Sequence, residues 1–244
     1  MRSVLLIGNH LSRHGHTIKP CEELAVRLRA AGWAVFTASS RLSPTARLAE
    51  MMASIWREHR RYAVANIDVY SGRAFAWAEA SAYSLRACRK PFTITLHGGA
   101  LPEFAARWPR RMRRLIALAP AVVAPSAYLA ESFRPWRADI AQIANGIELR
   151  QYRFRERSHV APRLLWLRSF HEIYDPVLAI EALAELRREI PQATLTMIGP
   201  DKGDGSLARS IDATERLGIR DAVHFEGLLE KSKSRTSLPK LTSS

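Results

Sequence analysis

Short apolar runs alternate along the chain with longer segments in which apolar residues recur at helical spacing. The first five apolar runs predict buried strands at residues 4–7, 33–38, 63–69, 92–96 and 121–124. The segments between them predict helices at residues 20–31, 44–60, 72–88 and 102–118, followed by a short helix that Ser126 caps. Strands and helices at this spacing indicate βαβ units, which build a parallel sheet with helices on both faces.

The alternation stops at Asn145, and the residues up to about 162 are polar and without a helical stripe, as expected of a linker. A second series follows, with strands predicted at 163–167, 193–198 and 222–225 and helices at 176–190 and 206–217. The last residues, 231–244, are polar and aperiodic and predict a disordered tail. We therefore predict an α/β protein with a complete Rossmann-like domain over residues 1–155 and a partial second one over 156–230.

Basic residues outnumber acidic ones, 37 to 23, which gives a formal net charge of +14. A charge of this size indicates an anionic partner such as a membrane surface, a nucleic acid or a phosphorylated substrate. The densest basic cluster surrounds Trp108 and Met112 and consists of Arg107, Arg110, Arg111, Arg113 and Arg114. Arginines beside large apolar side chains suit adsorption to anionic lipid headgroups, and a solvated helix face is the alternative. Nucleic-acid binding is the weaker alternative, because the sequence contains none of the usual nucleic-acid-binding motifs.

The sequence contains no apolar run near the roughly 20 residues that span a bilayer. The first apolar run is too short for a signal peptide and continues into polar Asn9 without a cleavage pattern, so we expect a buried strand. Cys21 and Cys88 lie far apart and without metal-ligand spacing, which favours a reducing compartment. We therefore expect a cytoplasmic protein, which the basic cluster would hold at the inner face of the membrane.

Polar turns follow two strands of the first predicted sheet, at the edge where open α/β sheets bind ligands. The turn with Gly8, Asn9 and His10 offers backbone N–H groups to an anion or a sugar hydroxyl, without the glycine spacing of a dinucleotide-binding loop. A plain polar connection without a ligand stays open as the alternative.

The second turn consists of His97, Gly98 and Gly99, directly after the fourth predicted strand. Paired glycines let a ligand approach the backbone, and a histidine at a strand end can bond a hydroxyl or stabilise developing charge. A structural turn with an incidental histidine is the alternative.

In the second predicted domain, Arg168 follows a strand and precedes a helix, where its guanidinium could grip a diphosphate. Gly199 opens a glycine-rich loop between a strand and a helix, which could border a nucleotide. Asp201 and Asp204 in this loop match no calcium or zinc spacing, so we expect no metal.

Taken in order, these segments resemble the GT-B glycosyltransferases of family 4, also called group 1 glycosyltransferases. Six short motifs carry the resemblance, at residues 8–9, 96–99, 122–129, 143–148, 168–182 and 195–200. Each motif is degenerate alone, but the six occur in family order and at family spacing.

The resemblance implies two Rossmann-like domains, with the acceptor bound by the first and a nucleoside-diphosphate sugar by the second. It implies retaining transfer to a glycan or glycolipid acceptor, with no cofactor and no metal. His97 would be the catalytic residue beside the transferred sugar. The donor-binding residues would be Gly8, Arg168 and Gly199, and the acceptor-binding residues would be Asn9, His10, Gly98 and Gly99.

The sequence departs from the family pattern at two points. Ser169 follows Arg168, and Tyr174 stands near the position where family members commonly have a lysine. The E-x7-E motif, which contacts the donor sugar and ribose, belongs further on than any pair with that spacing in this chain. We therefore expect a C-terminally truncated member, and a non-catalytic remnant of the family stays open as the alternative.

Overall fold

The computed structural model of the protein describes residues 2–14, 18–146, 156 and 161–227. The chain divides into two compact units, Met1–Ile147 and Glu148–Ser244, and each has its own hydrophobic core. The expected domain boundary at residue 155 and the expected tail over 231–244 both lie outside the described residues.

Six parallel strands form the sheet of the first unit: β1 (Ser3–Ile7), β2 (Ala34–Ala38), β3 (Val64–Val69), β4 (Phe92–Leu96), β5 (Ala121–Ala124) and β6 (Ala141–Gln142). Their order across the sheet is β2-β1-β3-β4-β5-β6. Every residue of β1 is buried, because the strand lies inside the sheet and both faces are covered. Leu5 and Ile7 pack into the larger core on one face, while Val4 and Leu6 pack into a smaller cluster on the other.

The helices of the first unit are α1 (Pro20–Ala30), α2 (Pro44–Arg57), α3 (Ala74–Ala87), α4 (Leu101–Arg107), α5 (Pro109–Leu118) and α6 (Ala127–Phe133). Proline opens α1, α2 and α5, where its missing N–H would have no intrahelical partner. Ser126 caps α6 as predicted, because its hydroxyl accepts a hydrogen bond from Leu129 N at 3.3 Å.

The basic segment predicted as one helix over residues 102–118 forms two, and the prediction was wrong at Trp108. Trp108 has φ −128° and ψ 56°, outside the helical region. Pro109 has no N–H to continue the helix, and its ring disfavours a helical conformation in the preceding residue. The chain therefore turns at Trp108, and α5 buries Met112, Leu115 and Ile116 in the core.

The second unit has a three-stranded parallel sheet of β7 (Arg163–Leu167), β8 (Thr194–Ile198) and β9 (Val223–Glu226), in that order. Its helices are α7 (Pro176–Glu189) and α8 (Ser206–Arg216). Ile180 and Leu183 of α7 pack with Leu195 and Met197 of β8 in a core of their own.

Both sheets are parallel with helices between their strands, which confirms the predicted α/β class. The predicted ends of most elements lie within three residues of the observed ends. The two-residue strand β6 was not predicted, because so short a polar segment has no pattern. Among the described residues, no helix is long and apolar enough to cross a membrane.

Candidate functional site

Three neighbouring strands, β1, β3 and β4, bring residues of separate turns together at their carboxyl ends. Gly8 follows β1 and His97 follows β4, while β3 between them carries Asp68 as its last residue but one. His97 N donates to Val69 O at 2.9 Å, which extends the pairing of β3 and β4 past the end of β4. This edge is where ligands bind in open α/β sheets.

Gly8 lies against the carboxylate of Asp68. A Cβ atom on residue 8 would lie 2.9 Å from Asp68 Oδ2 and 3.1 Å from Cys21 Sγ, closer than ordinary contact. Only a glycine lets the backbone approach the carboxylate this closely. Burial and the charge of Asp68 raise the pKa of the Cys21 thiol, so Cys21 is not a reactive thiolate.

Asp68 and His97 form the centre of the site. Their side chains are only 3% and 7% exposed, and His97 Nε2 lies 3.3 Å from Asp68 Oδ1. The Tyr70 ring stacks on the imidazole, with 5.1 Å between the ring centroids and 17° between the planes. Burial and the charge of Asp68 raise the pKa of Tyr70, so its phenol stays protonated. The arrangement offers a fixed imidazole to a hydroxyl or to developing charge.

A chain of hydrogen bonds from β3 and β4 holds the Asp68 carboxylate in place. Thr93 Oγ1 and Thr95 Oγ1 each donate to Asn66 Oδ1 at 2.8 Å, and Asn66 Nδ2 donates to Asp68 Oδ1 at 3.3 Å. Residues two apart on a strand share a face, and neighbouring strands align these faces. The four polar side chains of β3 and β4 therefore form one hydrogen-bonded row that ends at His97.

A small cavity lies beside Asp68. Its lining includes Gly8, Asp68, Tyr70 and Trp77, and its volume of about 10 Å³ is close to what one water molecule needs. Among the described residues, none donates a hydrogen bond to Asp68 Oδ2. A buried carboxylate oxygen without a donor costs free energy, so a water that donates to it would be stabilised.

The two predicted acceptor residues of the first turn are held inside the unit. Asn9 Oδ1 accepts from Arg47 Nη1 at 3.2 Å, and the Arg47 guanidinium lies 4.9 Å from the centre of the Trp77 ring. The His10 side chain is buried, and no described residue bonds its Nε2. Burial lowers the pKa of His10, which favours the neutral imidazole.

Gly98 and Gly99 leave the surface beside His97 open. Gly98 has φ +89°, a conformation that favours glycine. A Cβ atom on either residue would meet nothing within 4 Å, and both glycines are exposed. The backbone of this turn is therefore open to solvent.

The backbone N–H groups predicted to bind an anion in the turn after β1 are partly used inside the chain. Gly8 N donates to Ala38 O at 2.7 Å, and His10 N donates to Ser39 O at 3.0 Å. Ser12 N donates to Glu22 Oε1 at 3.0 Å, which ties the turn to the first turn of α1. Residues 15–17 of the same turn lie outside the described part of the chain.

In the second unit, Arg168 follows β7 and is exposed. Its guanidinium lies 5.4 Å from the centre of the Tyr174 ring, the residue that stands near the expected lysine position. The aromatic face holds the guanidinium by a cation–π contact and leaves its N–H groups available to an anion.

Gly199 has a structural reason for being glycine. A Cβ atom on residue 199 would lie 1.6 Å from the carbonyl oxygen of Arg168. The chain continues in parallel there, since Arg168 N donates to Ile198 O at 3.1 Å and Phe170 N donates to Pro200 O at 2.9 Å. Gly199 thus lets the segment that carries Arg168 pack onto the end of β8.

Asp204 fixes the glycine-rich loop after β8. Its carboxylate accepts from Glu172 N at 2.8 Å and from Ser206 N at 3.0 Å, at the start of α8. These bonds, led by the one from Glu172, lower the pKa of Asp204 to about 2. Across the described residues, no cluster of three or more His, Cys, Asp or Glu side chains is arranged to hold a metal ion.

The arginines of the basic cluster differ in their surroundings. Arg111 forms a two-pronged hydrogen bond with Glu79, and its guanidinium lies near the rings of Phe75, Phe104 and Trp108. It is therefore a structural residue, in contrast to the prediction that placed it with the surface arginines. Arg107, Arg110, Arg113 and Arg114 are exposed, and the Trp108 side chain is also exposed.

A family model described as Glycosyltransferase Family 4 matches residues 2–151, more than half of the chain. The chain belongs to glycosyltransferase family 4. The resemblance inferred from the six motifs is thereby confirmed at the level of the family. No curated protein is similar enough in sequence to the chain to count as a match.

Solved glycosyltransferases share the fold of the chain. HepE from Anabaena, in complex with UDP and glucose, has a TM-score of 0.62 at 17% identity, and the match covers 96% of this chain and 71% of the HepE chain. The lipopolysaccharide outer core galactosyltransferase WaaB has a TM-score of 0.60 at 15% identity, with 99% and 72% covered. The catalytic domain of starch synthase IV from Arabidopsis thaliana, bound to ADP and acarbose, has a TM-score of 0.59 at 8% identity, with 96% and 76% covered. The predicted GT-B-like fold is confirmed.

Sequence reasoning missed Asp68, Tyr70 and Asn66. Asp68 lies within the third apolar run, and a charged residue in a buried strand is itself a signal. Asn66, two residues earlier on the same strand, repeats that signal on the same face. Tyr70 had no comparable signal, because aromatic residues are common at strand ends.

Proposed function

We propose that the protein transfers a sugar, with retention of configuration, from a nucleoside-diphosphate sugar to a glycan or glycolipid acceptor. The observation that carries the proposal is the buried His97, held between Asp68 and Tyr70 beside an open glycine turn. Membership of family 4 and the UDP complex of the similar HepE support the nucleotide-sugar donor.

In this proposal His97 contacts the transferred sugar, and its fixed ring stabilises charge that develops during transfer. Arg168 binds the diphosphate of the donor, because its guanidinium is exposed and its fork of N–H groups matches phosphate oxygens. Gly98 and Gly99 border the acceptor, because they leave the backbone accessible. His10 shapes the acceptor side from within, since its side chain is buried, and Asn9 is held in place by its hydrogen bond from Arg47.

Donor binding is tested by calorimetry of the full chain with UDP, GDP and their sugar conjugates. Arg168→Met is expected to weaken nucleotide binding roughly 10- to 100-fold, because it removes hydrogen bonds that involve a charged group. Arg216→Met, which removes an exposed arginine at the end of α8, is the matched control and is expected to leave binding unchanged. A folded wild-type chain that binds none of these nucleotides would overturn the proposal.

We also propose that the exposed arginines near Trp108 hold the protein to an anionic membrane, which would bring a glycolipid acceptor within reach. Arg110, Arg113 and Arg114 have no acidic partner among the described residues, and the Trp108 side chain is 49% exposed. Each arginine near an anionic surface contributes about 1 kcal/mol, and an aromatic ring suits the headgroup region. A membrane-bound acceptor would place the protein at the inner face of the membrane.

Cosedimentation with vesicles tests this surface. A triple variant replaces Arg110, Arg113 and Arg114 by glutamine. It is expected to lose most binding to phosphatidylglycerol vesicles, while neither the variant nor the wild type binds phosphatidylcholine vesicles. A control triple variant removes the same charge elsewhere, at the exposed Arg60, Arg86 and Arg216. Equal loss in both triples would show that only net charge matters. Tighter binding to duplex DNA than to the anionic vesicles would favour the nucleic-acid alternative.

A further inference from the structure

Asp68 is a buried carboxylate in a strand that otherwise serves the core. Its neighbours Ile67 and Val69 are fully buried core residues, and its own side chain is 3% exposed. Burying a carboxylate costs free energy that packing does not return, so such residues are retained for a partner. The partner in contact with Asp68 at the edge of the sheet is His97.

The orientation of the Asp68 carboxylate is fixed from the core side. Asn66 Oδ1 accepts hydrogen bonds from the hydroxyls of Thr93 and Thr95, both at 2.8 Å. The amide NH₂ of Asn66 must then face Asp68, because only the oxygen can accept two donors. Asn66 Nδ2 donates to Asp68 Oδ1, and this is the oxygen that faces His97.

This oxygen decides which nitrogen of His97 carries the proton. Nε2 lies 3.3 Å from Asp68 Oδ1, and a nitrogen lone pair at that distance would be repelled by the carboxylate, whereas an N–H would be attracted. The neutral ring therefore favours the Nε2–H tautomer. Stacking on Tyr70 restrains rotation of the ring, and no described residue bonds Nδ1. Nδ1 is left as an acceptor.

We propose that Asp68 is a positioning residue that fixes the tautomer and orientation of His97, so that Nδ1 accepts a hydrogen bond from a hydroxyl of the bound sugar. The sugar as ligand rests on the proposed function; the tautomer does not. Asp68 acts through His97 and does not itself contact the substrate. Gly8 belongs to the same arrangement, because only glycine at this position leaves room for the Asp68 carboxylate.

Nitrogen-15 NMR of the ligand-free full chain tests the tautomer directly, at a pH where the ring is neutral. We expect the wild type to carry the proton on Nε2 and Asp68→Ala to show a mixture of tautomers. Asp68→Asn is expected to keep the Nε2–H form, because Asn66 still orients an amide oxygen toward His97. Asp139→Ala, at an exposed carboxylate of the same unit, is the control for losing an aspartate. A wild type protonated on Nδ1, or an unchanged ring in Asp68→Ala, would overturn the proposal.

A double-mutant cycle tests whether Asp68 acts through His97. With an accepted donor, Asp68→Ala is expected to lower kcat roughly 10- to 100-fold with little change in donor KM, as for a misplaced catalytic group. Adding Asp68→Ala to His97→Ala should then cost little more than His97→Ala alone. If the two substitutions instead reduce kcat independently, so that their factors multiply in the double variant, the positioning role would be overturned. Transfer that is absent while the tautomers behave as expected would instead refute the proposed function and leave the positioning role standing.

Discussion

Replacing Gly199 by alanine gives the most direct test of the second unit. The backbone of Gly199 is not in the left-handed region, so φ does not by itself exclude alanine there. The obstacle is the new methyl group, which would lie 1.6 Å from the carbonyl oxygen of Arg168. Because both sides of this contact are backbone, no side-chain rotation can relieve it. The segment after β7 must move away from the end of β8.

The size of the effect follows from the hydrogen bonds that this movement breaks. Restoring ordinary contact requires a separation of about 2 Å, more than a backbone hydrogen bond tolerates. Three such bonds flank the contact: Arg168 N to Ile198 O at 3.1 Å, Phe170 N to Pro200 O at 2.9 Å and Lys202 N to Phe170 O at 3.2 Å. At about 1 kcal/mol each, their loss destabilises the unit by about 2–4 kcal/mol.

Amide hydrogen exchange of the full chain, resolved by peptide, measures this loss. A change of 2–4 kcal/mol raises exchange rates in β7 and β8 by a factor of roughly 30 to 1,000, while the strands of the first unit serve as internal reference. Gly227→Ala is the matched control, because its Cβ would meet nothing within 4 Å, and it should change stability by less than about 1 kcal/mol. If Gly199→Ala exchanges like Gly227→Ala, the close approach of the two backbones is refuted. Weaker nucleotide binding in Gly199→Ala would then need another explanation.

Two further substitutions test the loops beside the sheets. Gly8→Ala is expected to destabilise the first unit by about 1–2 kcal/mol in urea unfolding, because its Cβ would push against the carboxylate of Asp68. Gly99→Ala is the control, and its free energy of unfolding should stay within about 1 kcal/mol of the wild type. Asp204→Asn should remove the part of the pH dependence that comes from the lowered pKa of Asp204. That stabilisation is fully present above about pH 4 and is lost as the pH falls through 4 toward 2. The melting temperatures of wild type and variant should therefore converge over this pH range. A constant difference between the two melting temperatures would contradict the prediction.

The alternation of apolar and polar residues was enough to predict most elements, because a parallel sheet buries whole strands and needs a helix between each pair. The strands at 92–96, 121–124 and 163–167 were predicted with their observed bounds. The helix break at Trp108 was missed, although Pro109 marked it, because the charge pattern of α4 continues into α5.

For the site, sequence motifs predicted the turns but not their partners. His97 and the open glycines beside it were predicted from the fourth strand and its turn alone. Arg111 could not be separated from the surface arginines near it, because its contacts with Glu79 and Phe75 join residues far apart in sequence. The role of Gly199 was likewise hidden, since the carbonyl that it accommodates belongs to Arg168, which follows a different strand.

The sequence by itself determined the α/β class, the order of the elements and the membership of the family, since these depend on local periodicity and on short motifs in a fixed order. Only the tertiary structure decided that His97 is paired with Asp68, that Asn66 orients this carboxylate and that Gly8 makes room for it. The reason is the parallel sheet, which brings the ends of β1, β3 and β4 side by side although about 60 and 30 residues separate them along the chain. Patterns along a sequence describe each strand, and the chemistry of the site arises between strands.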